Sequence, residues 1–178
     1  VDEFQQATSA LGRLNGLILD LRGNGGGLLD QAIGLASHFL PEGSEVVSTE
    51  GRAIPQQIYR SRKGGHFTKT AVVVLVDEAS ASASEIVAGA IQDWDRGVVV
   101  GRPSFGKGLV QRQVILNDGS AVRLTVARYH TPTGRVIQRP YENGKREEYY
   151  KAQRDRLVAN GKAADTVALA EQPIYKTL

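Results

Sequence analysis

Residues Ala71–Val76 form an unbroken apolar run, mostly β-branched. They lead through a serine-rich turn at residues 80–84 into a helical pattern of Ile86, Val87, Ala90 and Ile91. Such a run suits a strand covered on both faces, and a strand passing at once into an apolar-faced helix predicts an α/β fold. The same order occurs earlier in the chain. Leu17–Leu21 reads as a short buried strand, Arg22–Gly27 as a glycine-rich turn, and Leu29, Ala32, Ile33, Ala36, Phe39 and Leu40 as one helical face stopped by Pro41 and Gly43.

Around these two units the remaining elements are legible. Phe4, Ala7, Leu11 and Leu14 predict an opening helix over 1–14. Two weaker strands fall near Glu45–Thr49 and Gln57–Arg60, and the run Arg62–His66 reads as an exposed loop. A helix over 85–93 ends near Trp94, and Val98–Val100 reads as another short buried strand. Leu109–Leu116 and Ser120–Tyr129 flank Asn117-Asp118-Gly119, which predicts a hairpin with a two-residue turn. Thr131–Gly134 turns the chain again. Beyond Pro140 the charged, tyrosine-bearing sequence predicts an exposed helix over 145–159.

Composition narrows the function classes. The chain has 178 residues, 41% hydrophobic and 23% charged, which describes one globular domain with a real core. A formal charge of +3 with basic and acidic residues interspersed, as in Lys145–Glu148, gives no footprint for nucleic acid. No stretch approaches the roughly 18 apolar residues of a membrane span. Without cysteine, thiol catalysis and thiolate metal sites are excluded, and His38, His66 and His130 stand singly, none at metal-ligand spacing from another. These histidines read as packed or surface residues rather than members of a Ser-His-Asp triad.

Ser82, at the turn before the helix, and Lys107, between Gly106 and Gly108, carry the chemistry. A serine hydroxyl becomes nucleophilic only when a base takes its proton, and lysine is such a base only where removal from water keeps its amine neutral. Val98–Val100, Phe105, Leu109 and Val110 offer apolar walls for that purpose. A bland reading competes: Ser82-Ala83-Ser84-Glu85 is also a capping box, and Ser80 and Ser84 rival Ser82. Two glycine loops invite a nucleotide reading and fail it. Gly101–Lys107 fits a phosphate loop, but Gly108 stands where Ser or Thr is needed and the next residues alternate like a strand. Gly23–Gly27 lacks the third glycine of a dinucleotide fingerprint, and backbone N–H groups at Gly25–Gly27 better suit an oxyanion hole.

Three blocks, Asp20–Gly27, Ser80–Ile86 and Ser104–Gln111, together resemble the signature of the carboxyl-terminal processing, or tail-specific, proteases. The resemblance covers roughly residues 1 to 140. It implies Ser82 as nucleophile, Lys107 as general base and Gln111 as the residue that orients the lysine. Even spacing on a strand would put Lys107 and Gln111 on one face. The oxyanion donors it implies are the N–H groups of Ala83 and a glycine of the first block, Gly27, with Gly26 as the fallback.

The fold implied is α/β, a crotonase-like core of repeated strand-strand-helix units, with residues 1–178 as a catalytic core incomplete at its N-terminus. The reaction implied is acyl-enzyme hydrolysis by a serine endopeptidase, without metal or cofactor. Implied substrates are proteins with accessible C-terminal segments outside the cytoplasm, in the periplasm or cell envelope. An export or anchoring segment and a PDZ domain, usual in the family, are not legible in this chain, and a homo-oligomer or an activator protein is a further expected partner. Two rivals share the implied core. A non-catalytic ligand- or peptide-binding module, like the retinoid-binding repeats, would not need the Ser82, Lys107 and Gln111 set, and a crotonase-type acyl-CoA enzyme gives no account of a serine-lysine pair.

Overall fold

A computed structural model describes residues 1–139 together with Lys151 and Asp155. The helix predicted over 145–159 lies, apart from those two residues, outside the described part. The elements are α1 (Asp2–Ala10), β1 (Gly16–Asp20), α2 (Leu29–Ser37), β2 (Glu45–Gly51), β3 (Ile54–Arg60), β4 (Ala71–Val76), α3 (Ala83–Asp93), β5 (Val98–Gly101), β6 (Leu109–Ile115) and β7 (Ala121–His130). The α/β class expected from the strand-helix alternation is the one observed. α1 is shorter than its apolar spacing predicted: Leu11 N–H bonds back to Thr8 O (3.2 Å), and the chain leaves the helix before Gly12.

Two sheets organise the chain. β1, β4 and β5 form a parallel sheet in the order β1-β4-β5, and β3, β2, β7 and β6 form an antiparallel one in the order β3-β2-β7-β6. The core takes Val72, Val74 and Val76 from β4, Val46 and Val47 from β2, Ala32, Ile33 and Ala36 from α2, and Ile86, Val87, Ala90 and Ile91 from α3. Phe39 and Leu40, just past α2, continue its apolar face into that core. Short alanines on α2 and α3 let the two helices pack closely.

The expectations that β4 is covered on both faces and that β1 and β5 are short buried strands are corrected. In-register residues Ile18, Val73 and Val98 share the face turned away from the helices, and Ile18 and Val98 are 69% and 60% exposed. An apolar run therefore reports burial of one face here, because side chains alternate across the sheet while the helices cover one side. The β6–β7 hairpin is also corrected. Leu116 N–H donates to Ser120 O (2.8 Å) and Gly119 N–H to Leu116 O (3.0 Å), which leaves residues 117–119 as a three-residue loop with Gly119 at φ +84°. The Asp-Gly pair marks the turn, and the left-handed glycine falls at its last position rather than in a two-residue turn. The Thr131–Gly134 turn is present, with Gly134 N–H on Thr131 O (2.8 Å).

The segment after β7 returns to the core. Ile137 is fully buried, and its N–H donates to Tyr129 O (3.1 Å). Ile137→Val removes one methylene from a packed site and is expected to cost about 1 kcal/mol, read as a lower denaturant midpoint at unchanged slope.

Candidate active site

The glycine-rich loop after β1 and the turn before α3 fold against each other through their main chains. Ala81 N–H donates to Asn24 O (3.0 Å), Ser84 Oγ donates to the same oxygen (3.0 Å), and Ser80 Oγ donates to Leu21 O (2.7 Å). Asp77 Oδ1 ties the two from the other side by accepting Gly23 N–H (2.9 Å) and Ala79 N–H (3.0 Å). These bonds distinguish the environments of the three serines. Ser80 and Ser84 are buried and committed to carbonyl groups, whereas Ser82 is half-buried at the apex of the turn.

Ser82 adopts φ +55° and ψ −114°, a conformation that non-glycine residues seldom hold. Such strain persists only where the surroundings over-determine it, and here the turn is clamped on both sides. A sharp strand-turn-helix elbow presents a serine hydroxyl above the sheet edge and beside the free N–H groups of the helix start. The glutamate arm of the capping box expected from the S-x-x-E spacing is also present: Glu85 Oε2 accepts Ser82 N–H (2.8 Å), and the main-chain Glu85 N–H separately donates to Ser82 O (2.9 Å). Cap and exposed hydroxyl are thus compatible.

Gly26 explains why the first loop is glycine-rich. Its φ is +86°, and a Cβ there would stand 2.6 Å from Ala83 N and 2.9 Å from Ser82 Cβ, in addition to meeting Ala81 O. Gly26 N–H is taken by Asn24 Oδ1 (2.9 Å), so it has no proton to offer a substrate. The N–H groups of Gly27 and Ala83 have no protein acceptor among the described hydrogen bonds. Both residues line one cavity of about 200 Å³ with Leu21, Ala32, Leu35 and Val87. Of the two glycines considered from sequence, Gly27 is the one with an uncommitted donor.

Lys107 arrives from the other side. Gly106 N–H and Ser104 Oγ (2.7 Å) donate to Glu85 Oε1, and Lys107 N–H donates to Glu85 Oε2 (2.7 Å). Phe105 N–H reaches Ser80 O (2.8 Å), and Gly108 N–H reaches Gln138 Oε1 (3.0 Å). One buried carboxylate therefore joins the nucleophile turn to the lysine loop. Burial pushes the Glu85 carboxyl up to about 7, against the pull of its hydrogen-bond donors.

Three sequence expectations about the lysine change. The Lys107 side chain is half-buried rather than sealed, and Val98 and Val100 stand 60% and 47% exposed instead of closing around it. Lys107 precedes the start of β6 by two residues, so strand alternation does not reach it. Gln111 is exposed on β6 opposite Thr125, with no described side-chain hydrogen bond. His38 and His66 stack on one another (5.6 Å between centroids) beside Phe4 and Phe67, in a cluster apart from Ser82. A larger cavity of about 750 Å³ lies beside α1 and Phe67–Thr70, and none of its lining belongs to the serine-lysine set. Among the described residues, no His, Asp or Glu group is placed to hold a metal, and no helix is long and apolar enough to cross a membrane.

Glu85, Ser104 and Asn24 are site residues that sequence reasoning missed as such. The signal for Glu85 lay in the sequence, as the acidic partner of the capping box. Its second role, on a loop some twenty residues further on, has no local signature.

A strained serine at a helix start, followed by the uncommitted N–H of Ala83 and with a lysine loop tied to the same helix through Glu85, has the backbone geometry of a strand-turn-helix elbow. Residues 1–144 match the model of Peptidase family S41, and the chain belongs to that family. It is 50% identical over 127 residues to a carboxy-terminal-processing protease of Bartonella bacilliformis, covering 71% of this chain and 29% of that protein. It is 43% identical over 132 residues to a chloroplastic C-terminal processing peptidase of Tetradesmus obliquus, covering 73% of this chain and 28% of that protein. The solved structure of a photosystem II D1 C-terminal processing protease matches at 42% identity and a TM-score of 0.71, over 75% of this chain and 35% of that one. The resemblance to carboxyl-terminal processing proteases is borne out. The chain spans less than a third of the length of these curated relatives.

Proposed function

We propose that residues 1–178 belong to the catalytic core of a serine endopeptidase that cleaves proteins presenting accessible C-terminal segments. The observation that carries this reading is Ser82 itself: half-exposed, strained at an elbow, and followed by Ala83, whose open N–H lines one cavity with that of Gly27. In the first step Lys107 Nζ, neutral, takes the Ser82 hydroxyl proton as Oγ bonds to the peptide carbonyl carbon. The carbonyl oxygen becomes an oxyanion facing Ala83 N–H and Gly27 N–H, which act with little reorganisation because their loops are clamped. The ammonium of Lys107 then gives its proton to the leaving amine, and water attacks the acyl-enzyme by the same route in reverse. No step calls for a metal or cofactor. The apolar cavity beside Ala83 and Gly27, about 200 Å³, has room for one small apolar substrate side chain.

The half-buried Lys107 and the exposed Gln111 suit a site completed from elsewhere in a longer protein or by a partner. Closure would dry the amine and bring Gln111 to orient it, a gating role often carried by a moving domain. A PDZ domain that reads substrate C-termini, an activator protein or a second copy could each supply it. Work outside the cytoplasm, in the periplasm or cell envelope, fits substrates of this kind.

The test is degradation of an unfolded, tail-bearing protein by the full-length protein and by its Ser82→Ala variant at equal concentration. Cleavage by the parent alone supports the peptidase. Cleavage by neither, with both folded, would favour the binding module.

A further inference from the structure

Glu85 takes no part in the bond-making steps above, yet its side chain accepts four hydrogen bonds at the site. It is 1% exposed and accepts Ser82 N–H, Lys107 N–H, Gly106 N–H and Ser104 Oγ, two donors on each carboxylate oxygen. Two of these donors are the main-chain amides of the proposed nucleophile and base, 25 residues apart in sequence. A protonated carboxyl cannot accept all four, because the oxygen that carries the proton becomes a donor. We infer that Glu85 is a positioning residue and a proton-operated joint: its carboxylate form locks the nucleophile turn to the lysine loop, and uptake of one proton from solvent releases them.

The inference rests on the peptidase reading only for its consequence in activity. Burial is the largest cause of the upward displacement of this carboxyl to about 7, with the four donors opposing it. The charged residues around the joint are few. Arg102 at the start of the lysine loop pairs with Glu78 (3.5 Å), Asp77 bonds the amides of its own turn and of Gly23, Lys107 approaches through its amide, and Arg139 approaches Gly106 O through its own N–H (3.5 Å).

The sign of the pH effect follows. The folded carboxyl binds protons more tightly than its ordinary value of 4.5, so this group's stability contribution is fully present below about 4.5 and is lost as pH rises through about 7. The lock runs the opposite way and tightens as pH rises through the same range. A device of this kind trades some fold stability for an assembled site at neutral and alkaline pH.

The experiment uses the full-length protein and a fluorophosphonate that labels activated serines, with Ser82→Ala as the control. The Glu85 joint predicts that log rate against pH gains one further unit of slope below about pH 7. Ser104→Ala removes a donor to the charged form and should move the steepening up by about one pH unit, while Glu85→Gln should abolish it and leave a slow rate. A profile in the parent that does not steepen down to pH 5, or a steepening that neither variant moves, overturns the joint.

If the parent is not labelled at all, the peptidase reading fails and the joint is judged by stability alone. The denaturant midpoint of the parent should then fall between pH 5 and pH 8, and the fall should be centred higher in Ser104→Ala. A midpoint flat with pH and equal in slope between the two overturns it. Because Ser104→Ala leaves the carboxylate in place, this comparison survives even if Glu85→Gln does not fold.

Discussion

Ser82→Ala and Lys107→Ala, separately or together, are expected to bring kcat for cleavage of an unfolded, tail-bearing protein to one common floor, on the order of 10⁴-fold or more below the parent. The shared floor is the informative part. In the proposed mechanism hydroxyl and amine act as one unit, the serine inert until the lysine takes its proton, so removing the second after the first should cost almost nothing more. What survives is the contribution of the Ala83 and Gly27 N–H groups and of substrate binding. A Lys107→Ala variant within tenfold of the parent would remove the lysine from its assigned role and send attention to another base. KM should change much less than kcat, because neither side chain is asked to hold the ground-state substrate. Circular dichroism of each variant separates lost chemistry from a lost fold.

Gly26→Ala is expected to destabilise the chain by about 2–5 kcal/mol, lowering the melting temperature by on the order of 10 °C, whereas its neighbour Gly27→Ala should move it little. The contrast comes from the positions the two glycines occupy. A methyl at Gly26 would press on Ala81 O and stand 2.6 Å from Ala83 N, in a left-handed conformation at φ +86°; nothing lies within 4 Å of a methyl at Gly27. The obstructing atoms at Gly26 are main chain of the nucleophile turn and cannot rotate away. Relief requires the loop after β1 to back off from Ser82, so activity should fall with stability. Gly27→Ala keeps its N–H, and a folded, active variant would agree with an oxyanion donor that is needed for its amide alone. Equal melting temperatures for the two variants would contradict the clamped arrangement.

Much of this architecture was written locally. The period-two and period-3.6 patterns placed β1, α2, β4, α3 and the β6–β7 hairpin, since each depends on neighbours within a turn or a pleat. Where those readings slipped, a non-local quantity decided. Ala71–Val76 is apolar on both sides, but only Val72, Val74 and Val76 face helices, so burial of one face was settled by where α2 and α3 lie. Gln111 obeys strand alternation, yet Lys107 stands outside β6 and the alternation could not relate them.

The sequence by itself determined the α/β class, the family and the short roster of candidate residues, because motif spacing and side-chain chemistry are properties of the chain. Tertiary structure alone set the surroundings of each. It gave the Ser80 and Ser84 hydroxyls to Leu21 O and Asn24 O, and it took Gly26 N–H for Asn24 while leaving that of Gly27 open. It also made a helix-capping glutamate the link between the Ser82 turn and the Lys107 loop. A hydrogen-bond partner is chosen by proximity in three dimensions, and a buried carboxylate takes whichever donors the fold brings to it, however far apart they lie along the chain.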